Sequence, residues 1–422
     1  MKYNTAILSN GLRVIHLPSD SPIVYCGYQI GAGTRHEKTG EEGLAHFVEH
    51  MTFKGTTHRN SLKVIDTLES VGGELNAFTN KEDTTYYAAI LAKYVGRAVD
   101  LLTDIVFHST YPQQEIDKER EVIVEEIESY NDSPAELIYD EFENLIFGNH
   151  PLGHNILGNA ENVRRFVSKD AKCFAETHYR TDNAVFFAYG NLDFNKLVRR
   201  IHTALKTEEQ DHVVRKQTSE VSLEETVLPS PPSCSQAPSL PRSITVSKGT
   251  HQAHVMLGTR AYNIHHPDRI ALYLLNNMLG GPGLNARLSI CLREKHGLVY
   301  TVESTMVSYS DTGIWSVYFG CDHDDVKRCL QLVRKELDKL MKSPVSSRKL
   351  AAAKLQIKGQ IGIACDQREN FALDFGKSFL HYGWEKDIQE LYRQIDAVTA
   401  EQLQRVANDL FAADHITTLI YQ

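Results

Sequence analysis

His46 and His50 stand four residues apart, with Glu49 just before the second, inside the run Gly43-Leu-Ala-His-Phe-Val-Glu-His-Met51. On a helix, residues four apart share a face, one turn from each other. Two imidazoles on one face with a carboxylate beside them make a metal-binding pair next to a group able to move a proton. The plainer reading is a solvated helix face with ordinary polar residues. The neighbours oppose it. Leu44, Ala45, Phe47, Val48, Met51 and Phe53 are apolar, so the segment reads as buried. Buried imidazoles need partners, and one divalent cation satisfies two at once.

A catalytic zinc takes three protein ligands and keeps a fourth position for water, so a third ligand is required. The stretch 118–129 reads Lys-Glu-Arg-Glu-Val-Ile-Val-Glu-Glu-Ile-Glu-Ser. Val122, Ile123 and Ile127 recur there at helical spacing. Glu119 and Glu126 are seven apart and share a face. Glu126 follows His50 by 76 residues. Glu121, Glu125 and Glu128 read as solvent-facing charges, and spacing alone leaves the same reading open for Glu126.

The order H-x-x-E-H is that of the inverted zinc peptidases. Followed some 76 residues later by a glutamate in a run like E-R-x-V-I-x-x-E-I, it resembles the pitrilysin, insulysin and mitochondrial processing peptidase family. The resemblance continues in Gly72-Gly-Glu-Leu-Asn-Ala-Phe-Thr79, in His150-Pro-Leu-Gly153 and in Leu292-Arg-Glu-Lys-His-Gly-Leu-Val-Tyr300. It spans nearly the whole chain, and the length is similar to that of the short bacterial members and the processing-peptidase subunits.

What the resemblance implies is a zinc endopeptidase with one Zn2+ per chain, held by His46, His50 and Glu126. Zinc would lower the pKa of its water to around 7. Glu49 would take that water's proton and pass it to the leaving amine. Glu119, two turns before Glu126, would orient a ligating histidine. The segment after Gly72-Gly73 would accept an extended peptide as an added strand, with Asn76 bonding substrate and Ala77 keeping the approach open. Arg293 and Tyr300 match the family's Arg/Tyr pair, Arg293 holding a substrate oxygen and Tyr300 donating to the oxyanion. Two chains would face each other as a clamshell that admits unfolded peptides, a homodimer or a heterodimer with a paralogous subunit. A presequence-processing subunit and a non-catalytic partner subunit are the competing expectations. His58, His150 and His154 read as loop or surface residues.

Composition bounds the rest. At 422 residues the chain has room for two or more domains with real cores. The net charge of −9 argues against a general nucleic-acid binder, whose footprint is basic. The first residues lack a secretory h-region and the Arg-rich look of a transit peptide, and no run approaches a membrane span. Seven scattered cysteines without a C-x-x-C pair fit a reduced compartment. A cytoplasmic protein without membrane or nucleic-acid partners is the expectation.

These residues need elements to hold them. Residues 208–242 are rich in proline and serine and read as a linker between domains at 1–207 and 243–422. The two sides look like copies: Ala407 answers Ala175 and Met278 answers Met51, at offsets of 232 and 227 residues. In the second copy Tyr273, Asn276 and Asn277 stand where His46, Glu49 and His50 stand, so the metal motif is expected once. Strands are expected near 4–8, 12–17, 23–31, 75–79, 84–91 and 184–190. Helices are expected at the motif, opened by a Thr39/Glu42 capping box, and near 60–71, 94–108, 112–130, 135–147, 168–178 and 194–206. Strands and helices do not alternate strictly, which predicts α+β domains, each a largely antiparallel sheet with helices packed on it.

Overall fold

The computed structural model describes residues 2–205 and 243–422; the segment read as a linker, 208–242, lies outside the described residues. The first half builds one sheet from β1 (Asn4–Ile7), β2 (Arg13–Pro18), β3 (Ile23–Ile30), β4 (Glu74–Thr79), β5 (Thr84–Leu91) and β6 (Ala184–Gly190). Their spatial order is β1-β2-β6-β3-β5-β4, with only β2 and β6 parallel. The second half builds another from β7 (Ser243–Val246), β8 (Ala253–Ala261), β9 (Val299–Ser308), β10 (Gly313–Cys321) and β11 (Thr417–Tyr421). Its order is β7-β11-β8-β10-β9, with only β7 and β11 parallel. Without β1, the first sheet has the same connectivity and strand directions as the second. The fold is α+β with two repeated sheets.

Fourteen α-helices pack on these sheets among the described residues. In the first half they are α1 (Leu44–Thr52), α2 (Ser61–Glu69), α3 (Val95–Phe107), α4 (Gln113–Asn131), α5 (Pro134–Phe147), α6 (Ala160–Val163), α7 (Ser168–His178) and α8 (Phe194–Leu205). In the second they are α9 (Arg269–Gly280), α10 (Val326–Lys342), α11 (Ser347–Asp366), α12 (Arg368–Tyr382), α13 (Ile388–Ala397) and α14 (Ala400–Leu410).

Alternation along the strands sets which face meets which helices. In the first sheet Val24, Cys26, Tyr28, Ile30 and Phe186 point into a core shared with α1, α3 and α7. Ile15, Leu17, Val185 and Phe187 point the other way and pack with Phe371 and Phe375 of α12, from the second half. The exchange is reciprocal. Phe142, Ile146 and Phe147 of α5, from the first half, pack on Met256, Ile314, Leu419 and Tyr421 of the second sheet. Each sheet therefore has one face covered by its own helices and the other by a helix of the opposite half.

Two local expectations change. The Thr39/Glu42 capping box does not form. Gly43, with φ of 97° and Leu157 O only 2.6 Å from where a Cβ would sit, begins α1. Glu37 does the capping, accepting from Gly43 N at 3.0 Å and Ala45 N at 2.7 Å. On α4, Ile123 and Ile127 are buried, but Val122 is 49% exposed. It shares a face of α4 with Glu119 and Glu126. No helix among the described residues is long and apolar enough to cross a membrane.

Candidate metal centre

Helix α1 is buried along nearly its whole length because Leu44, Phe47, Val48 and Met51 fill the first-half core. That packing fixes the opposite face, which carries His46 and His50. Their ring centroids lie 4.6 Å apart. Helix α4 packs against α1 and presents Glu126 to both rings. Glu126 Oε1 lies 3.8 Å from His46 Nε2, and Oε2 lies 3.6 Å from His50 Nε2. The ligand atoms of the three residues all fall within 4.8 Å of one another.

These separations exceed hydrogen-bond range. They approach the roughly 3.4 Å edge of a tetrahedron of ligands about 2.0–2.2 Å from a small divalent cation. Two imidazole nitrogens and a carboxylate oxygen fit such an ion. Burial, reinforced by the His50 ring, lowers the pKa of His46 to about 3, so the ring is neutral and one nitrogen lone pair is free for a metal at neutral pH. Its buried Nδ1 has no hydrogen-bond partner among the described residues.

His50 is oriented from behind. Its Nδ1 donates to Glu119 Oε1 at 3.0 Å, which leaves Nε2 facing Glu126. Lys54 Nζ sits 2.6 Å from the other Glu119 oxygen. Burial works against the Glu119 charge, but these two partners hold its carboxyl below the usual range. Glu49 is buried beside the rings. Its Oε2 accepts from Thr79 Oγ1 at 2.5 Å, at the end of β4, leaving Oε1 without that bond. Burial pushes the Glu49 carboxyl up, helped by the Glu126 charge and opposed by Thr79 and His50.

Strand β4 is one of the two edges of the first sheet, unpaired on its outer side among the described residues, and lies against α1. Asn76 and Ala77 sit on it, opposite Tyr87 and Tyr86 of β5. The preceding glycines close α2: Gly72 has φ of 72°, and Gly73 N bonds Leu68 O at 2.9 Å. A Cβ on Gly73 would meet the Ile90 and Leu68 side chains, so its bareness serves this chain's own packing.

Arg293 and Tyr300 lie in the second half, Arg293 in a π-helical turn and Tyr300 on β9. The Arg293 guanidinium carbon is 5.7 Å from the Tyr300 ring centroid, and Tyr300 is 83% exposed. Both line a cavity of about 860 Å³ with Tyr273, Asn276 and Asn277, and none of His46, Glu49, His50 or Glu126 lines it. Within one chain the pair and the histidines are not brought together. The second half keeps a neutral version of the first: Ser304 Oγ donates to Asn276 Oδ1 at 2.5 Å, as Thr79 does to Glu49.

Sequence reasoning left out Thr79, Lys54 and Glu37. Lys54 continues the four-residue spacing of His46 and His50, a signal that was available. Thr79 ends a quoted motif but gave no sign of its partner. His154, read as a loop or surface residue, buttresses the cap of α1: its Nε2 lies 2.9 Å from Glu37 and 3.0 Å from Thr34 O. His150 Nε2 lies 3.5 Å from Asp311, across the two halves.

Fold and site together define a metallopeptidase-like chain, and comparison with known proteins names its class. Residues 13–160 match the model for insulinase, peptidase family M16, and residues 165–357 match that for the peptidase M16 inactive domain. The chain belongs to the M16 peptidase family. It is 31% identical over 415 residues to an uncharacterized zinc protease of Bacillus subtilis, covering 97% of this chain and 96% of that protein. It is 33% identical over 411 residues to the bovine mitochondrial-processing peptidase subunit beta, covering 94% of this chain and 80% of that one. The crystal structure of a protease from Helicobacter pylori superposes with a TM-score of 0.88 at 21% identity, over 100% of this chain and 99% of that one.

Proposed function

We propose that this protein is a zinc-dependent endopeptidase that hydrolyses unfolded peptides. The observation that carries the reading is the convergence of His46, His50 and Glu126 beside a buried Glu49 at a free sheet edge. The three would hold one zinc ion. When bound, zinc acidifies water and polarises the scissile carbonyl.

The chain's own residues do the rest. Glu49, with Oε2 held by Thr79, takes the proton of the attacking water on Oε1 and returns it to the leaving nitrogen. Glu119 keeps His50 in the tautomer that leaves Nε2 unprotonated. An extended substrate adds to β4, so main-chain pairing gives affinity with little demand on sequence. The Arg293/Tyr300 pair of a second copy completes each site in a homodimeric chamber, Tyr300 donating to the oxyanion. Folded proteins do not fit an edge-strand site inside such a chamber.

A zinc determination together with a fluorogenic peptide assay, with and without chelator, tests this. Stoichiometric zinc and chelator-sensitive cleavage are expected. Cleavage unaffected by complete zinc removal would overturn it.

A further inference from the structure

The loop between α1 and α2 carries a second imidazole onto another histidine–carboxylate pair. Asp104 and His108 are four apart at the end of α3 and share a face. His58 comes from the loop. The ligand atoms of His58, Asp104 and His108 all lie within 4.8 Å of one another.

The Asp104 carboxylate is divided in its duties. Oδ2 accepts from Thr56 Oγ1 at 2.8 Å and from Arg59. Oδ1 faces the two rings, 2.8 Å from His58 Nδ1 and 3.4 Å from His108 Nδ1. The His108 contact lacks hydrogen-bond alignment, and that buried nitrogen has no other hydrogen-bond partner among the described residues. Nor is the loop placed by accident. Thr57 N bonds His108 O at 3.0 Å, His58 N and Arg59 N bond Thr56 Oγ1 at 3.0 and 2.9 Å, and Thr56 bridges to Ser109. A cavity of about 720 Å³ opens beside the cluster, with room for further ligands.

We propose that His58, Asp104 and His108 form a second metal site, for a transition ion that favours imidazole nitrogen such as Zn2+, Co2+ or Ni2+. Two nitrogens and one carboxylate suit these ions and not Mg2+ or Ca2+, which take mostly oxygen. Ligation through Nδ1 asks each neutral ring to carry its proton on Nε2, so the His58 Nδ1 hydrogen bonds to Asp104 and Thr57 Oγ1 give way to the metal. Arg59 and Thr56 orient the carboxylate from behind, as such partners do at metal sites. The cavity rim is net cationic, with Arg59, Lys196, Arg199 and Arg200 against Asp100 and Asp104. Affinity is therefore lower than at the His46/His50/Glu126 centre. An ion here ties the segment leaving α1 to the end of α3, which stiffens the support of the first centre.

The test uses the full chain with the first centre removed, His46→Ala/His50→Ala, titrated with Co2+ by calorimetry and visible absorption. One equivalent with d–d bands is expected. Adding His58→Ala or His108→Ala weakens binding by at least about tenfold. His58 lies on an exposed loop, so its variant keeps the result readable if the His108 variant fails to fold. If the parent binds no cobalt, or if His58→Ala leaves affinity unchanged, the cluster is only a hydrogen-bonded carboxylate. The readout involves no peptide cleavage, so it stands apart from the proposed activity.

Discussion

At the scale of single residues, Glu49 and Glu119 are two buried carboxylates beside the same histidine pair that act on different atoms. Glu49 touches no ring nitrogen within hydrogen-bond range and is held by Thr79; Glu119 bonds His50 directly. Glu49→Gln is therefore expected to keep zinc and the fold while lowering kcat by about 10²–10⁴-fold. A stopped-time peptide assay beside a metal determination checks this, and native-rate cleavage would end the general-base role. Glu119→Gln is expected to weaken zinc about 10–100-fold, read by competition with a chromogenic chelator. The histidines and Glu49 were legible because two imidazoles and a carboxylate at helical spacing are an uncommon pattern, whereas Glu126 stood out from the neighbouring glutamates only through the family resemblance. Thr79 and Lys54 were not, because a hydroxyl or an ammonium gives no clue to a partner that only the tertiary fold supplies.

At the scale of elements, the cap of α1 matters most, because α1 carries the first centre. The Glu37 side chain is fully buried and serves two helix amides and His154. Glu37→Ala leaves those donors unpaired and is expected to destabilise by about 2–3 kcal/mol, measured by urea unfolding. The free edge of β4 yields a second expectation. A peptide N-methylated at the backbone positions that would pair with β4 should lose about tenfold or more in kcat/KM; equal turnover would remove strand addition from the mechanism. The strands and helices expected in the first half match within about two residues, since their apolar periods are clear. The exchange of α5 and α12 between the sheets was not legible. An apolar helix face states that a helix packs, not which of two sheets it covers. The Thr39/Glu42 box failed for a related reason: α1 starts only at Leu44, and Glu37, held by His154 from far along the chain, accepts from Gly43 N and Ala45 N instead.

At the scale of the whole molecule, the two halves are locked together by charge as well as by helix exchange. Asp83, in the turn after β4, is 1% exposed and bonds Lys377 at 2.8 Å and His381 at 3.0 Å on α12. Burial opposes its charge, but His381 and Lys377 hold its carboxyl well below the usual range. A depressed folded-state pKa gives stability that is complete above the unfolded value near 3.9 and is lost as pH falls toward the folded one. Asp83→Asn is expected to lower stability by about 3 kcal/mol at pH 7. The gap in Tm between variant and wild type should begin to close only below about pH 4. A locked chain leaves the Arg293/Tyr300 cavity separate from the first centre, so a site needing both must draw on two copies. His50→Ala and Tyr300→Phe, each strongly impaired alone, should then complement when mixed. With random exchange half of the dimers are mixed, and each mixed dimer holds one intact site of two, so recovery should approach about one quarter of wild-type activity. Subunit exchange is confirmed first with differently tagged chains. No recovery after exchange would mean that Tyr300 does not serve the histidines of another copy.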